Sequence, residues 1–248
     1  MKLSIVVPVY NEEKTINSIL DLVEEELEKL TCIDGYELVV IDDCSSDDSK
    51  DVLEKRIRQK NNYTLLSHKM NSGKGAAIRT GIGVTTGDIV LIQDADLEYD
   101  PKDYATLLHP FVEGKADVVY GSRFKGEVSR VLYFWHYMGN RFLTFLSNMF
   151  TNLNLTDMET CYKAFRGDII RNMTLTSNRF GIEPEMTAKI AKIKGVRIYE
   201  VPISYFGRTY EEGKKINWKD GVSAIWSILK FNIFTDRKRS FRADFNPF

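Results

Sequence analysis

Little in this sequence supports thiol or imidazole chemistry. Its three cysteines, Cys32, Cys44 and Cys161, form neither a CxxC pair nor a metal-ligand run, and its three histidines, His68, His109 and His136, show no zinc spacing. A disulfide scaffold and a zinc module are therefore poor fits. Charge of one sign is lacking too: 34 Lys and Arg offset 35 Asp and Glu, for a net charge of -1. That balance gives no long-range attraction to nucleic acid. No window reaches the about 18 uncharged apolar residues of a membrane-crossing helix. The opening MKLSIVVPVYNEE turns polar at Asn11 before a signal-peptide core can develop. The expectation is a cytoplasmic chain in a reducing compartment. G-x-G-x-x-G, G-x-x-x-x-G-K-[ST] and G-x-S-x-G are also missing, which argues against a dinucleotide oxidoreductase, a P-loop ATPase and an elbow-type hydrolase.

What the sequence does contain is a repeated alternation of apolar run, polar punctuation and helical periodicity. Leu3 to Val9 suits a buried strand and runs into Tyr10, Asn11, Glu12 and Glu13. Ile16, Ile19, Leu20, Val23, Leu27 and Leu30 then recur at helical spacing. Tyr36 to Ile41 repeats the move, ending in Asp42 and Asp43 ahead of a helix around Val52, Leu53 and Ile57. Tyr63 to Ser67, Ile89 to Ile92 and Asp117 to Tyr120 read as further strands. Helices through Ala76 to Ile82 and from Pro101 to Phe111 separate them. Parallel neighbours need crossover connections, so the alternation predicts a mostly parallel central sheet with helices on both faces. Compact structure resumes at Cys161 to Phe165, with helical patterns near Ile169 to Met173 and Glu185 to Ile193. Strands are expected at Val196 to Glu200 and Ile203 to Phe206, with Pro202 between them.

The feature that points to chemistry is Asp94-Ala95-Asp96-Leu97-Glu98, directly after the strand Ile89 to Ile92 and Gln93. In an extended chain alternate side chains share one side, so the three carboxylates would converge. A hard divalent cation, Mg²⁺ or Mn²⁺, would relieve their repulsion and hold a diphosphate. The plain alternative is a solvated, Asp-rich turn. Position favours the cation, because parallel strand ends gather their loops around a crevice. Glu12 and Glu13 after the first strand and Asp42 and Asp43 after the second would meet a nucleoside there. Gly73-Lys74-Gly75 opens a helix. Its glycines suit a tight entry or a close backbone approach to a nucleotide, with Lys74 adding positive charge.

Taken together these motifs resemble the family-two glycosyltransferases of GT-A fold, in particular the dolichyl-phosphate mannose and glucose synthases. The resemblance covers residues 1–234. It is carried by SIVVPVYNEE at 4–13, VVIDDCSSDDS at 39–49, NSGKGAAIRTG at 71–81, DADLEYDP at 94–101 and GSRF at 121–124, and later by DMETCYKAFR at 157–166, RFGIEPE at 179–185 and YFGRTYEEGKK at 205–215. It implies an α/β GT-A fold and inverting transfer of a hexose from UDP-glucose or GDP-mannose to a polyprenyl or dolichyl phosphate. On this sequence it implies nucleotide contacts at Pro8, Tyr10, Glu12 and Asp42, joined by Lys74 and Asp94. It implies metal and diphosphate contacts at Asp94 and Asp96, with Glu98 at a third ligand position where Gln is often found. Arg123, Arg130 and Arg208, with Lys214 nearby, match phosphate-handling positions, a role that the guanidinium geometry suits. Catalytic weight falls on Asp94, Asp96, Arg123 and Arg208. A phosphate acceptor, with a second pKa of about 6, is already ionised near neutrality and needs no base. A hydroxyl acceptor would need one, and Asp157, Glu159, Glu183 and Glu185 are the candidates.

Two segments set the expectation for partners. Residues 131–150 are rich in aromatic and aliphatic side chains on more than one helical face. Val222, Ile225, Trp226, Leu229 and Ile233, widened by Ile228, form an amphipathic pattern in a helix over Trp218 to Phe231, with Lys230 beside Trp226. Both segments fit core packing, or peripheral contact with the cytoplasmic face of a membrane and a groove for a lipid phosphate. One catalytic domain over 1–234 and a polar, basic end over 235–248, with Arg237, Lys238, Arg239 and Arg242, complete the expected layout. The rival readings are transfer to a soluble hydroxyl acceptor, a nucleotide-sugar phosphotransferase and a noncatalytic nucleotide-sugar-binding module.

Overall fold

The computed structural model describes residues 1–126, 130–131, 133–209, 211 and 218–246. Strand β1 (Lys2–Val9) leads into helix α1 (Ile16–Lys29), β2 (Gly35–Asp42) into α2 (Ser49–Ile57) and β3 (Tyr63–Ser67) into α3 (Lys74–Ile82). β4 (Ile89–Ile92) is followed by a 3-10 turn at Pro101–Asp103, α4 (Tyr104–Val112) and β5 (Val118–Ser122). The remainder comprises α5 (Phe134–Thr151), β6 (Lys163–Arg166), α6 (Gly167–Asn172), α7 (Ile182–Ile190), β7 (Ile198–Pro202), α8 (Trp218–Ile233) and α9 (Arg237–Ser240).

The strands form one seven-stranded sheet in the order β3-β2-β1-β4-β6-β5-β7. Neighbours are parallel except at β6, which runs antiparallel to both β4 and β5. The unbroken apolar runs explain the layering. In β1, Leu3, Ile5, Val6, Val7 and Val9 are all buried although they point to opposite faces, as happens when helices cover both sides of a sheet. Helix α1 buries Ile16, Ile19, Leu20, Val23 and Leu27, the stripe its periodicity predicts.

The second C-terminal strand expected at Ile203 to Phe206 does not form. Proline cannot donate to a ladder, and β7 ends at Pro202. The following backbone N–H groups are taken elsewhere: Ser204 donates to the Asp103 carboxylate at 2.7 Å and Phe206 to the Glu98 carbonyl at 2.9 Å. This diversion carries the chain over the acidic loop. The basic end packs against the body as well. Ser240 and Phe241 are buried, Thr174 N–H donates to the Ser240 carbonyl at 2.9 Å, and Arg242 N–H donates to the Asn172 carbonyl at 3.0 Å.

Helices α5 and α8 pack on each other and on the body, yet both keep an apolar face outward. Ala224, Ser227, Ile228 and Phe231 of α8 are buried, whereas Val222, Trp226 (59% exposed) and Ile233 face outward. On α5, Phe134, Trp135 (79% exposed), Phe142, Phe145 and Met149 are exposed. Among the described residues no helix is long and apolar enough to cross a membrane.

Candidate active site

From β1 the sheet extends through β2 to β3 on one side and begins with β4 on the other, so the crevice between β1 and β4 opens at their carboxyl ends. Thr15 spans it: its Oγ1 lies 2.8 Å from Glu12 Oε2 and 3.2 Å from the Ala95 carbonyl oxygen. The loops after β1 and β2 are tied together. Asn11 N–H donates to Ser45 Oγ at 3.0 Å, Glu12 N–H to Ser49 Oγ at 2.8 Å and Ser46 N–H to Asn11 Oδ1 at 2.8 Å. Asn11 and Cys44 hold left-handed φ angles of 55 and 59° to make these turns. Pro8 sits half-buried in β1, Tyr10 presents a 40% exposed ring at the rim, and buried Asp42 accepts from Ser45 N–H at 3.2 Å.

Neighbouring Asp43 serves the scaffold. It accepts from Ser72 N–H at 2.9 Å and Gly73 N–H at 2.6 Å, and pairs with His68 Nδ1 at 2.6 Å while His68 Nε2 meets Thr80 Oγ1 at 2.9 Å. Gly73 and Gly75 pack on protein backbone. A Cβ at Gly73 would lie 2.4 Å from the Asn178 carbonyl oxygen, and one at Gly75 would lie 2.5 Å from that of Ser177. Gly73 also has φ 94°.

The three carboxylates of the acidic loop are neighbours but are not aligned on one side of a strand. The strand ends at Ile92 and residues 95–98 bend, so the alternation that would align Asp94, Asp96 and Glu98 does not apply. Asp94 Oδ1 pairs with Lys74 Nζ at 2.7 Å. Asp96 Oδ2 pairs with Arg208 Nη2 at 2.6 Å. Glu98 Oε1 accepts from the Arg208 backbone N–H at 2.9 Å and Nε at 3.2 Å, and its Oε2 accepts from the Tyr205 hydroxyl at 2.9 Å. Arg208 also lies 3.7 Å from Glu12. Among the described residues no group of three His, Cys, Asp or Glu side chains is arranged to hold a metal ion.

The donor chemistry nonetheless fits a divalent ion at Asp94 and Asp96. Burial, together with neighbouring Asp94 and Glu98, pushes the Asp96 carboxyl up to about 7, the mark of crowded anions. Carboxylate oxygens are the hard donors that Mg²⁺ or Mn²⁺ takes, and such an ion would compete with Lys74 and Arg208 for them. Asp96 and Glu98 alike have both oxygens engaged, Asp96 by Arg208 and by the Glu98 backbone N–H at 3.1 Å, Glu98 by the 205–208 segment. Burial opposes the Lys74 charge, but Asp94 and Glu183 outweigh it and keep the ammonium well above its usual pKa. Gln93 anchors the loop from below. Its Oε1 accepts from the Tyr104 and Tyr162 hydroxyls at 2.7 Å each, and its Nε2 donates to the Asp94 carbonyl at 2.9 Å.

All three singled-out arginines reach the 205–208 segment. The Arg123 guanidinium lies 5.1 Å from the Tyr205 ring centroid, Arg130 Nη1 donates to the Gly207 carbonyl at 3.1 Å, and Arg208 belongs to the segment. Arg123 is also clamped by fully buried Asp157, which accepts from Nε at 2.6 Å and Nη2 at 2.7 Å and from Asn140 Nδ2 at 3.2 Å. Lys214 lies outside the described residues.

Of the four candidate bases, Asp157 is held by Arg123. Glu185 pairs with buried Lys189 at 2.6 Å, and Glu183 pairs with fully buried Lys163. Glu159 Oε1, like Glu183 Oε1, is buried without a hydrogen-bond partner; Glu159 differs in that burial and neighbouring Glu183 push its carboxyl up to about 7. Lys163, Thr15 and His68 were not expected at the site from sequence, whereas Asp43, expected to border a nucleoside, is engaged by the scaffold. The polar Gln93 closing an apolar strand was a local signal for its anchoring role.

Residues 4–174 match the model of the glycosyl transferase family 2. An uncharacterised protein of Methanocaldococcus jannaschii is 27% identical over 93% of this chain and 92% of its own length. Glycosyltransferase AglJ of Haloferax volcanii is 30% identical over 82% of this chain. Undecaprenyl-phosphate 4-deoxy-4-formamido-L-arabinose transferase of Proteus mirabilis is 28% identical over 86%. The matches span 63% and 62% of those two proteins' lengths. Among solved structures, glucosyl-3-phosphoglycerate synthase of Mycobacterium tuberculosis with Mn²⁺, uridine diphosphate and phosphoglyceric acid shares the fold. The TM-score is 0.70 at 19% identity, over 94% of this chain and 78% of the other.

Proposed function

Because this chain belongs to glycosyl transferase family 2, we propose that it transfers a hexose, with inversion, from UDP-glucose or GDP-mannose to a polyprenyl or dolichyl phosphate at the cytoplasmic face of a membrane. The observation that carries this reading is the meeting of the acidic loop with the 205–208 segment: Arg208 bridges Asp96 and Glu98, while Arg123 and Arg130 contact that segment through Tyr205 and Gly207. One side suits a nucleotide diphosphate and the other an acceptor phosphate. A relative is named for transfer involving undecaprenyl phosphate, and a structural neighbour holds Mn²⁺ with uridine diphosphate. Both support the reading.

In this scheme Tyr10, Glu12 and Asp42 border the nucleoside, and Lys74 with Asp94 meets the diphosphate. Asp94 and Asp96 would hold a divalent ion, which when bound offsets charge on the leaving diphosphate. An ionised acceptor oxygen forms the new bond to the anomeric carbon as the bond to the nucleoside diphosphate breaks and its electron pair leaves with that group. Arg208 and Arg130 orient the acceptor, and Arg123 supports Tyr205 beneath them. The exposed apolar faces of α5 and α8 suit a lipid tail and the bilayer interface.

Transfer to a soluble hydroxyl is the second reading, and Glu159 favours it as a carboxylate held near neutrality. A screen separates the two. UDP-glucose, GDP-mannose and UDP-N-acetylhexosamines are each incubated with short polyprenyl phosphates and, in parallel, with soluble hydroxyl acceptors, with and without Mg²⁺ or Mn²⁺, and products are identified by mass. A sugar-phosphate-polyprenol product is expected. Product only with soluble hydroxyl acceptors would replace the lipid reading.

A further inference from the structure

At the C-terminal end of α8, a cleft of about 560 Å³ lies between the chain after α7, the end of α8 and α9. Lys192, Lys194, Arg237 and Arg239 line it, and among the described residues Asp236 is its only carboxylate. Asp236 is already engaged, accepting from the Arg239 backbone N–H at 2.9 Å as the cap of α9. The lining also includes Ile233 and Phe234, which are 54% and 63% exposed. A soluble anion has no use for those two side chains. Ile233 continues the outward stripe of Val222 and Trp226 along α8, so cations and apolar groups share one surface.

We propose that this cleft docks the phosphate of an anionic phospholipid headgroup, with Ile233 and Phe234 entering the interface beside it. The inference rests on the membrane-surface reading above for its partner and not on the transfer chemistry. The site is separate from the Arg208 segment, so it binds bulk lipid and holds the catalytic crevice at the bilayer. Lys192 adds support. Its Nζ hydrogen bonds to the Phe231 carbonyl, while burial and neighbouring Lys189 disfavour its charge, a cost that an incoming phosphate would relieve.

The test is cosedimentation of the full chain with vesicles of phosphatidylcholine alone and of phosphatidylcholine mixed with phosphatidylglycerol. Binding should be stronger to the anionic vesicles and should weaken with salt. Arg237→Ala with Arg239→Ala should reduce anionic-vesicle binding roughly fivefold per charge, about 25-fold together. Turnover on a detergent-dispersed polyprenyl phosphate and the thermal melt should be unchanged, which separates this inference from the transfer reading. Equal binding to both vesicles, or an unaltered double variant, would overturn the proposal. So would binding of glycerol phosphate to vesicle-free protein as tight as binding to anionic vesicles, which would assign the cleft to a soluble anion.

Discussion

Arg123 and Asp157 form a two-pronged ion pair, with Nε and Nη2 at 2.6 and 2.7 Å from the two carboxylate oxygens of a fully buried aspartate. An arginine expected to meet a substrate phosphate is thus first a structural partner. Arg123→Ala would strand the Asp157 charge with only Asn140 Nδ2 and the residue-123 backbone N–H as donors. The expected cost is about 3–5 kcal/mol. The double variant Arg123→Ala, Asp157→Ala should recover part of it. Urea melts decide the matter: stability within ~0.5 kcal/mol of wild type in the single variant would remove the pair from the folding account.

Asp96 and Glu98 share Arg208 yet should respond differently to substitution. Asp96→Ala is expected to lower metal-dependent transfer by about 10²-fold or more, and full turnover in a folded variant would end its assigned role. Glu98→Gln should lower kcat/KM for the acceptor while leaving the divalent-ion dependence in place, because Glu98 orients Arg208. A cycle with Arg208→Ala should show coupling of about 1–3 kcal/mol. A tenfold rise in the metal concentration needed for half-maximal rate would instead make Glu98 a ligand.

The reach of sequence reasoning follows from range. Buried parallel strands are unbroken apolar runs, and each ends in the polar residues that form the crevice, so β1 to β5 and the loops at Glu12, Asp42 and Asp94 were legible. Strand β6 was recognisable as an apolar segment, but four residues carry no mark of direction. Its antiparallel setting brings Asp157 and Lys163 to the same sheet edge as Asp94. Partners are the least legible part. Arg208 meets Glu98 across 110 positions and Arg123 meets Asp157 across 34, and no local pattern encodes such meetings. The expected alignment of Asp94, Asp96 and Glu98 failed for a local reason: strand periodicity was extended past Ile92 into a bend.

Glu159 gives a pH test of its surroundings. Burial and Glu183 raise its folded pKa to about 7, above the ~4.3 of an unfolded glutamate. The folded state therefore holds the proton more tightly. Stability from this group is complete below pH ~4.3 and is lost as pH rises through about 7. Glu159→Gln removes that loss. It should stabilise the protein by an amount on the order of a few kcal/mol at pH 8 and by little at pH 4. A stability difference that is flat across that range would show that Glu159 titrates as an ordinary surface carboxylate.

Gly75 lies inside α3, where alanine would ordinarily stabilise by about 1 kcal/mol. Here the sign should reverse. A Cβ would sit 2.5 Å from the Ser177 carbonyl oxygen and 2.9 Å from that of Arg179, both backbone atoms that cannot rotate away. The 177–179 segment is itself pinned, since Glu185 accepts from Ser177 N–H at 2.7 Å and Arg79 donates to the Ser177 carbonyl at 3.2 Å. Gly75→Ala should therefore cost roughly 1–3 kcal/mol by overpacking. The same displacement would move Lys74 relative to Asp94, so transfer should fall as well, with the donor KM rising. If the glycine instead served only to admit a nucleotide, Gly75→Ala would weaken nucleotide binding while thermal stability stayed level or rose. Thermal melts of the unliganded variant, set beside its donor kinetics, separate those outcomes.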